Sequence, residues 1–243
     1  MRQFGLIGFP LSHSFSQKYF TEKFLKENIA DAAFINFSIP DVTDVENIFR
    51  EHPLLQGLSV TIPYKKSIIP YLDDVDDAVK EILACNCIKI KQNKKRGYNT
   101  DIIGFEKSFI KNLKQCHKKA LVLGTGGASA AIQYVLKKHS IEYLLVSRES
   151  SAKTITYSDI SPVTFLEFNI IINCTPLGTY PNVTQAPLLP YSLLTGEHYL
   201  FDLVYNPPLT KFLQYGKEAN CTIENGYEML VLQAEENWKI WNS

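Results

Sequence analysis

Gly124-Thr125-Gly126-Gly127-Ala128-Ser129 stands between an apolar run, residues 120–123, and a segment of helical character, 129–139. A strand, a glycine turn and a helix in that order aim backbone N–H groups and a helix N-terminus at a phosphate, so the loop asks for a nucleotide. Gly126 and Gly127 allow the backbone to approach a pyrophosphate closely. The strict dinucleotide fingerprint would carry glycine where Ser129 stands, and turns of this kind also occur with no ligand. The next strand, 141–147, ends in Ser147-Arg148. NAD binders usually place an acidic residue there, to accept from the ribose 2′-hydroxyl. A guanidinium instead matches a phosphate with two parallel hydrogen bonds, and Ser147 adds a hydroxyl, which favours NADP. The plainer alternative is an arginine exposed past a strand end, its field blunted by Glu149.

Further polar residues follow the early strands. Gly8-Phe9-Pro10-Leu11-Ser12-His13-Ser14-Phe15-Ser16 comes after a first strand and sets Ser14 and Ser16 at the start of a helix. Two hydroxyls with free helix N–H groups suit a small carboxylate; either serine also serves as an ordinary N-cap. The third strand leads through Thr61 to Lys65, and a lysine just past a strand end either reaches a cleft or is simply solvated. Asn86 lies in an apolar strand, where its amide needs partners. Asn99-Thr100-Asp101 places three short polar side chains before a helix, which they also suit as a cap.

These residues are positioned by alternating strand and helix signals. In the first hundred residues, strands are predicted at 4–7, 33–38 and 57–62, the last stopped by Pro63. Helices are predicted at 16–28, 41–50 (with Asp41 or Thr43 as cap) and 74–83, and a hairpin at 85–90 and 96–99 around Gln92-Asn93. This alternation predicts helices covering a mixed sheet. From Thr100 the pattern restarts: helix 102–114, strand 120–123, helix 129–139, strand 141–147, a polar stretch, strands 170–173 and 199–202, helix 210–219 and a short strand at 222–223. These are the parts of a Rossmann-like, doubly wound parallel sheet. Residues 226–241 place Met229, Leu230, Leu232, Ala234, Trp238 and Trp241 in a helical pattern. The predicted fold is therefore α/β in two domains, an N-terminal α/β domain with a mixed sheet and a C-terminal nucleotide domain.

Composition agrees. Of 243 residues 45% are hydrophobic, enough for a sizeable core, and 25 Lys and Arg balance 25 Asp and Glu. A net charge of zero argues against a nucleic-acid partner, and the basic run Lys91, Lys94, Lys95, Arg96 reads as a solvated hairpin turn. No apolar run approaches the ~20 residues of a membrane span. Five scattered cysteines suggest reduced thiols and a cytoplasmic setting, and Cys85 and Cys87 are too close for a paired zinc-ligand set, so no metal is expected.

Seven motifs in order resemble the shikimate dehydrogenase family: residues 8–16, 60–65, 99–101, 124–129, Asn173 to Gly178, Tyr205-Asn206-Pro207, and 226–234 with its Gly-x-x-Met-Leu and Gln233-Ala234. The resemblance spans nearly the whole chain. It implies an oxidoreductase that reversibly reduces the ketone of 3-dehydroshikimate to shikimate with NADPH, on the route to the aromatic amino acids. It implies Lys65 and Asp101 as the catalytic pair and Ser14 and Ser16 as carboxylate ligands. Thr61, Asn86, Asp101 and Gln233 would bind ring hydroxyls, and Tyr205 would complete the pocket. Gly124, Gly126, Gly127, Ala128, Ser147 and Arg148 would hold NADP, with Thr175, Gly226 and Met229 near its nicotinamide half.

The implied organisation is a substrate domain at 1–101, an NADP domain at 102–225, and a helix at 226–243 that returns to the first domain. Partners are small molecules, with no nucleic acid or membrane, in a monomer or homodimer. Departures from the family pattern are Gln17 for proline, Leu83 and Cys87 for glycine and threonine around Asn86, Ile102 for glycine, Thr179 for methionine, and a short stretch at 148–170. Rival readings are an NAD-preferring quinate/shikimate dehydrogenase and a non-catalytic metabolite sensor.

Overall fold

The computed structural model describes residues 1–11 and 15–243. It divides into two compact units, Met1–Thr100 with Ala234–Ser243, and Asp101–Gln233.

In the first unit β1 (Arg2–Gly8) leads to α1 (Phe15–Lys26), then β2 (Ala32–Ser38), α2 (Val45–Glu51) and β3 (Leu55–Val60). After these come β4 (Asp74–Val75), α3 (Asp77–Ile82), β5 (Cys87–Lys91) and β6 (Lys94–Tyr98). The sheet order is β2-β1-β3-β5-β6-β4. β1 is parallel to β2 and β3, β5 is antiparallel to β3 and β6, and β4 runs parallel to β6, so the sheet is mixed. Side chains alternate across it. Ile7, Leu58, Val60 and Ile88 pack with Val45 and Ile48 of α2 and Val79 of α3. Phe4 and Leu6 pack with Phe20 and Phe24 of α1, Phe34 and Trp241. Gly57 is required beneath Trp241, whose indole a Cβ there would strike. The indole Nε1 is satisfied by the Ile88 carbonyl at 3.0 Å.

The hairpin forms at Gln92-Asn93, both with positive φ (52° and 61°), as a two-residue turn between right-twisted strands demands. Its basic run is partly paired, Lys95 with Asp73 and Arg96 with Asp74, each at 3.2 Å. Several predicted boundaries move, two of them for reasons visible in local hydrogen bonds. β3 ends at Val60 instead of residue 62, because the chain turns at Thr61, whose carbonyl accepts the Tyr64 N–H at 2.9 Å. The helix predicted at 74–83 begins only at Asp77. Asp74 and Val75 pair as a short strand with Arg96 and Gly97, and Asp76 caps the helix by accepting the Val79 N–H at 2.8 Å.

In the second unit α4 (Asp101–Ile110) precedes β7 (Lys119–Leu123), α5 (Gly127–Lys138), β8 (Glu142–Ser147) and β9 (Thr154–Thr156). The chain continues through α6 (Pro162–Glu167), β10 (Ile170–Asn173), β11 (Tyr199–Asp202), α7 (Lys211–Glu218) and β12 (Thr222–Asn225) to α8 (Tyr227–Trp241), whose residues from Ala234 on belong to the first unit. All six strands are parallel, in the order β12-β11-β10-β7-β8-β9. Residues 120–123 and 170–172 are fully buried, as central parallel strands covered on both faces must be. One face carries Phe165, Phe168, Leu200, Phe212 and Leu213. On the other, Phe109 stacks on Phe105 and on Tyr199, with centroids 4.7 and 5.4 Å apart.

Two elements interrupt the predicted polar stretch. β9 is a three-residue edge strand with no apolar run to announce it. α6 does carry a start signal, Ser161-Pro162: the Ser161 hydroxyl accepts the Thr164 N–H at 3.0 Å and proline takes the first helical position. Among the described residues no helix is long and apolar enough to cross a membrane.

Candidate active site

In the first unit three of the expected residues meet where β3 ends. The Thr61 N–H bonds the Ile7 carbonyl at 2.9 Å, and the Phe9 N–H bonds the Ile62 carbonyl at 3.1 Å, which joins the turn after β3 to the loop after β1. Gly8 is obligatory at this junction, since a Cβ would collide with the Thr61 methyl. The Lys65 carbonyl accepts the Cys85 N–H at 2.7 Å, and the Val60 N–H bonds the Asn86 carbonyl at 2.8 Å. Thr61, Lys65 and Asn86 are thereby held together by backbone bonds, at the strand ends where α/β sheets bind ligands. Lys65 is half-buried. The Asn86 amide finds the partners its burial demands: Oδ1 accepts the Thr100 backbone N–H at 2.6 Å, and Nδ2 donates to Thr100 Oγ1 at 3.0 Å. Ser16 lies in the first turn of α1 and is buried. Ser14 lies outside the described residues.

The second unit holds Asp101, Tyr205, Gln233 and the expected cofactor ligands. Asp101 is the first residue of α4 and is 5% exposed. Three residues on, and so on the same helix face, Gly104 allows α8 to approach. A Cβ there would stand 2.5 Å from the Met229 carbonyl oxygen and 3.1 Å from the Gln233 Cβ. Asp101, Met229 and Gln233 therefore gather around one helix crossing. Gly226, just before α8, presses on the backbone of Leu203, whose carbonyl would collide with any Cβ. The Gly226 N–H bonds the Val204 carbonyl at 3.3 Å, next to half-buried Tyr205.

The glycine turn fits a dinucleotide. Gly124 has a φ of +98° and lies against Thr175, whose methyl carbon would be 3.1 Å from a Cβ there. Gly126 is the N-cap of α5, and a Cβ on it would meet nothing within 4 Å, so a phosphate has room to approach the first turn of a twelve-residue helix made of Gly127, Ala128 and the residues after them. Where the strict fingerprint has glycine, Ser129 is fully buried and its hydroxyl accepts from Gln133 Nε2 at 3.2 Å. Ser147 ends β8, beside β7 in the sheet. Arg148 follows it, exposed, and among the described residues no carboxylate pairs with it, Glu149 included. The turn, the helix terminus and this guanidinium are what the phosphates of NADP require.

A buried polar pair was given no role of its own in the sequence reading. β10 and β11 each end in a buried polar residue, Asn173 and Asp202, both 0% exposed. Asn173 Oδ1 accepts from Thr175 N at 3.0 Å and Thr175 Oγ1 at 2.6 Å. Asp202 accepts from Asn173 Nδ2 at 2.9 Å, Val204 N at 3.0 Å and Thr210 Oγ1 at 2.6 Å. Burial outweighs these donors and pushes the Asp202 carboxyl up to about 6. The available signal was a polar residue closing an all-apolar strand in both Ile-Ile-Ile-Asn and Tyr-Leu-Phe-Asp.

A parallel sheet in this order, with a glycine turn after its first strand, is the architecture of the dinucleotide-binding α/β enzymes. Residues 6–88 match the family described as shikimate dehydrogenase substrate binding domain. The chain is 37% identical to a shikimate dehydrogenase (NADP(+)) of Clostridium beijerinckii, over 99% of this chain and 92% of that one. It superposes on the crystal structure of shikimate dehydrogenase 1 from Peptoclostridium difficile with a TM-score of 0.86 and 36% identity, covering 100% of this chain and 92% of that one. A shikimate 5-dehydrogenase from Listeria monocytogenes, solved in complex with shikimate and NAD, gives a TM-score of 0.88 at 26% identity, covering 100% and 92%. The chain belongs to the shikimate dehydrogenase family.

Proposed function

We propose that this chain catalyses the reversible, NADP-dependent reduction of 3-dehydroshikimate to shikimate, with Lys65 and Asp101 as the catalytic pair. The observation that carries the reading is similarity to an NADP(+) shikimate dehydrogenase along 99% of the chain, in a sequence that keeps every polar residue the reaction asks for. The turn at Gly124, Gly126, Gly127 and Ala128 would hold NADPH, with Ser147 and Arg148 at its ribose phosphate and Thr175, Gly226 and Met229 near its nicotinamide, and the bound cofactor would supply a hydride.

The ketone oxygen gains negative charge as the carbonyl is reduced, so it needs a proton and a nearby cation. Lys65 provides both: its ammonium stabilises the developing alkoxide and passes a proton to that oxygen. Asp101 orients the ammonium and favours its charged form. In the oxidative direction Lys65 takes the proton from the substrate hydroxyl. Ser14 and Ser16 bind the substrate carboxylate. Thr61, Asn86, Asp101 and Gln233 bind its ring hydroxyls, and Tyr205 closes the pocket.

The direct test is to incubate the purified protein with shikimate and NADP+ and follow absorbance of the reduced nicotinamide. Turnover with NADP+ at a higher kcat/KM than with NAD+ is the expected result; no turnover of shikimate with either cofactor overturns the reading.

A further inference from the structure

Four polar side chains of the first unit form one buried chain: Ser59 is 5% exposed, Asn86 3%, Thr100 1% and Asn237 0%. Asn237, on α8, donates from Nδ2 to Ser59 Oγ at 3.0 Å. With Nδ2 toward Ser59, the Asn237 Oδ1 faces Thr100 and accepts its hydroxyl proton at 2.6 Å. A threonine hydroxyl has a single proton. With that proton on Asn237, Thr100 Oγ1 acts as an acceptor toward Asn86 and takes the Nδ2 hydrogen at 3.0 Å. It cannot also serve Asn86 Oδ1, 3.2 Å away, which takes the Thr100 backbone N–H instead. The direction of the Thr100 hydroxyl, and with it the bond from Asn86 Nδ2, is set at Asn237.

We propose that Asn237 is a positioning residue for substrate recognition: by drawing off the Thr100 hydroxyl proton it holds the Asn86 amide in one orientation, with its donor side addressing a ring hydroxyl of the substrate. With an apolar residue at 237 the Thr100 proton can turn to Asn86 Oδ1, which weakens the bond from Asn86 Nδ2 to Thr100 Oγ1 and loosens the orientation of the amide. The inference rests on the reading of Asn86 as a hydroxyl ligand. Asn237 touches neither substrate nor cofactor in this reading and acts through Thr100.

The test compares kcat/KM for shikimate with that for two analogues, each lacking one of the ring hydroxyls that are not oxidised. It uses the full-length wild type, Asn86→Ala and Asn237→Leu, with melting temperature recorded for each. Wild type is expected to discriminate strongly against one analogue, and Asn86→Ala to abolish that preference. Asn237→Leu is expected to reduce the same preference roughly tenfold, the scale of one compromised hydrogen bond, while leaving the other preference and the KM for NADP+ unchanged. A general loss of stability would not pick out one hydroxyl. Full retention of discrimination by a folded Asn237→Leu, with Asn86→Ala deficient, overturns the proposal. Unaltered discrimination in Asn86→Ala removes its premise and overturns it in a different, recognisable way. Should Asn237→Leu not fold, Ser59→Ala releases the far end of the relay; a smaller fall in the same ratio supports the proposal and an unchanged ratio overturns it.

Discussion

Asn173 and Asp202 close neighbouring parallel strands and bond each other at 2.9 Å, with no exposure of either. Through this bond the turn carrying Thr175 and the loop that runs from Val204 past Tyr205 to Thr210 share one anchor. Burial works against the charged form of its carboxylate. An aspartate whose folded pKa, about 6, lies above the ordinary carboxyl value of 3.8 holds its proton more tightly when folded. The stability it contributes is full below the unfolded value and is lost as pH rises through about 6. Asp202→Asn keeps an acceptor for Asn173 and Val204 and offers N–H to Thr210. Thermal melts from pH 4 to 8 should show the wild type losing stability relative to this variant as pH rises, by on the order of 3 kcal/mol at most; parallel curves would contradict the assignment.

Lys65→Met removes the proposed proton donor and its charge but keeps most of the length of the side chain. kcat should fall by about 10²–10⁴ with the KM for NADP+ little changed. Near wild-type turnover in steady-state assays would refute the role of the lysine.

Arg148→Ala removes the guanidinium proposed to meet the 2′-phosphate at the end of β8. Binding of NADP+ should weaken by about 10–100-fold, the scale of a charge-assisted hydrogen bond, and binding of NAD+ should stay within about twofold. Calorimetric titration of both cofactors reads the difference directly, and an equal loss for the two would show that Arg148 does not read the phosphate.

Gly104→Ala inserts a methyl group where α4 and α8 cross, 2.5 Å from the Met229 carbonyl. Stability should drop by about 1–3 kcal/mol. Because Asp101 and Gln233 flank the crossing, kcat/KM for shikimate should fall further than the melting temperature alone explains. Denaturant unfolding together with kinetics at a temperature where the variant is fully folded separates the two effects.

The sheets were legible because their strands are apolar runs with turn residues at their ends: 120–123, 170–173 and 199–202 appear within a residue of where the pattern put them. β4 and β9 were not, since strands of two and three residues carry no period and exist only through pairing with neighbours distant in sequence. In the site, Gly124 and Gly126 were readable because only certain backbones suit a positive φ or an open helix start. Asp202 and Asn237 gave no such sign, and Thr100 was read only as one of the three short polar residues at 99–101. Each acts by holding another polar group in a buried network, and no spacing along the chain encodes which amide meets which hydroxyl.

Trp241 stacks on Phe4 with ring centroids 5.1 Å apart, and Ala234 joins the same cluster as Phe20, Phe24 and Phe34. The unit translated first is consequently completed last: its aromatic core stays open to solvent until residues 234–243 emerge, by which time the parallel sheet between has everything it needs to form. A growing chain of this protein must keep Phe4, Phe20 and Phe34 out of trouble for most of its synthesis, and chaperone dependence during translation should follow these rings.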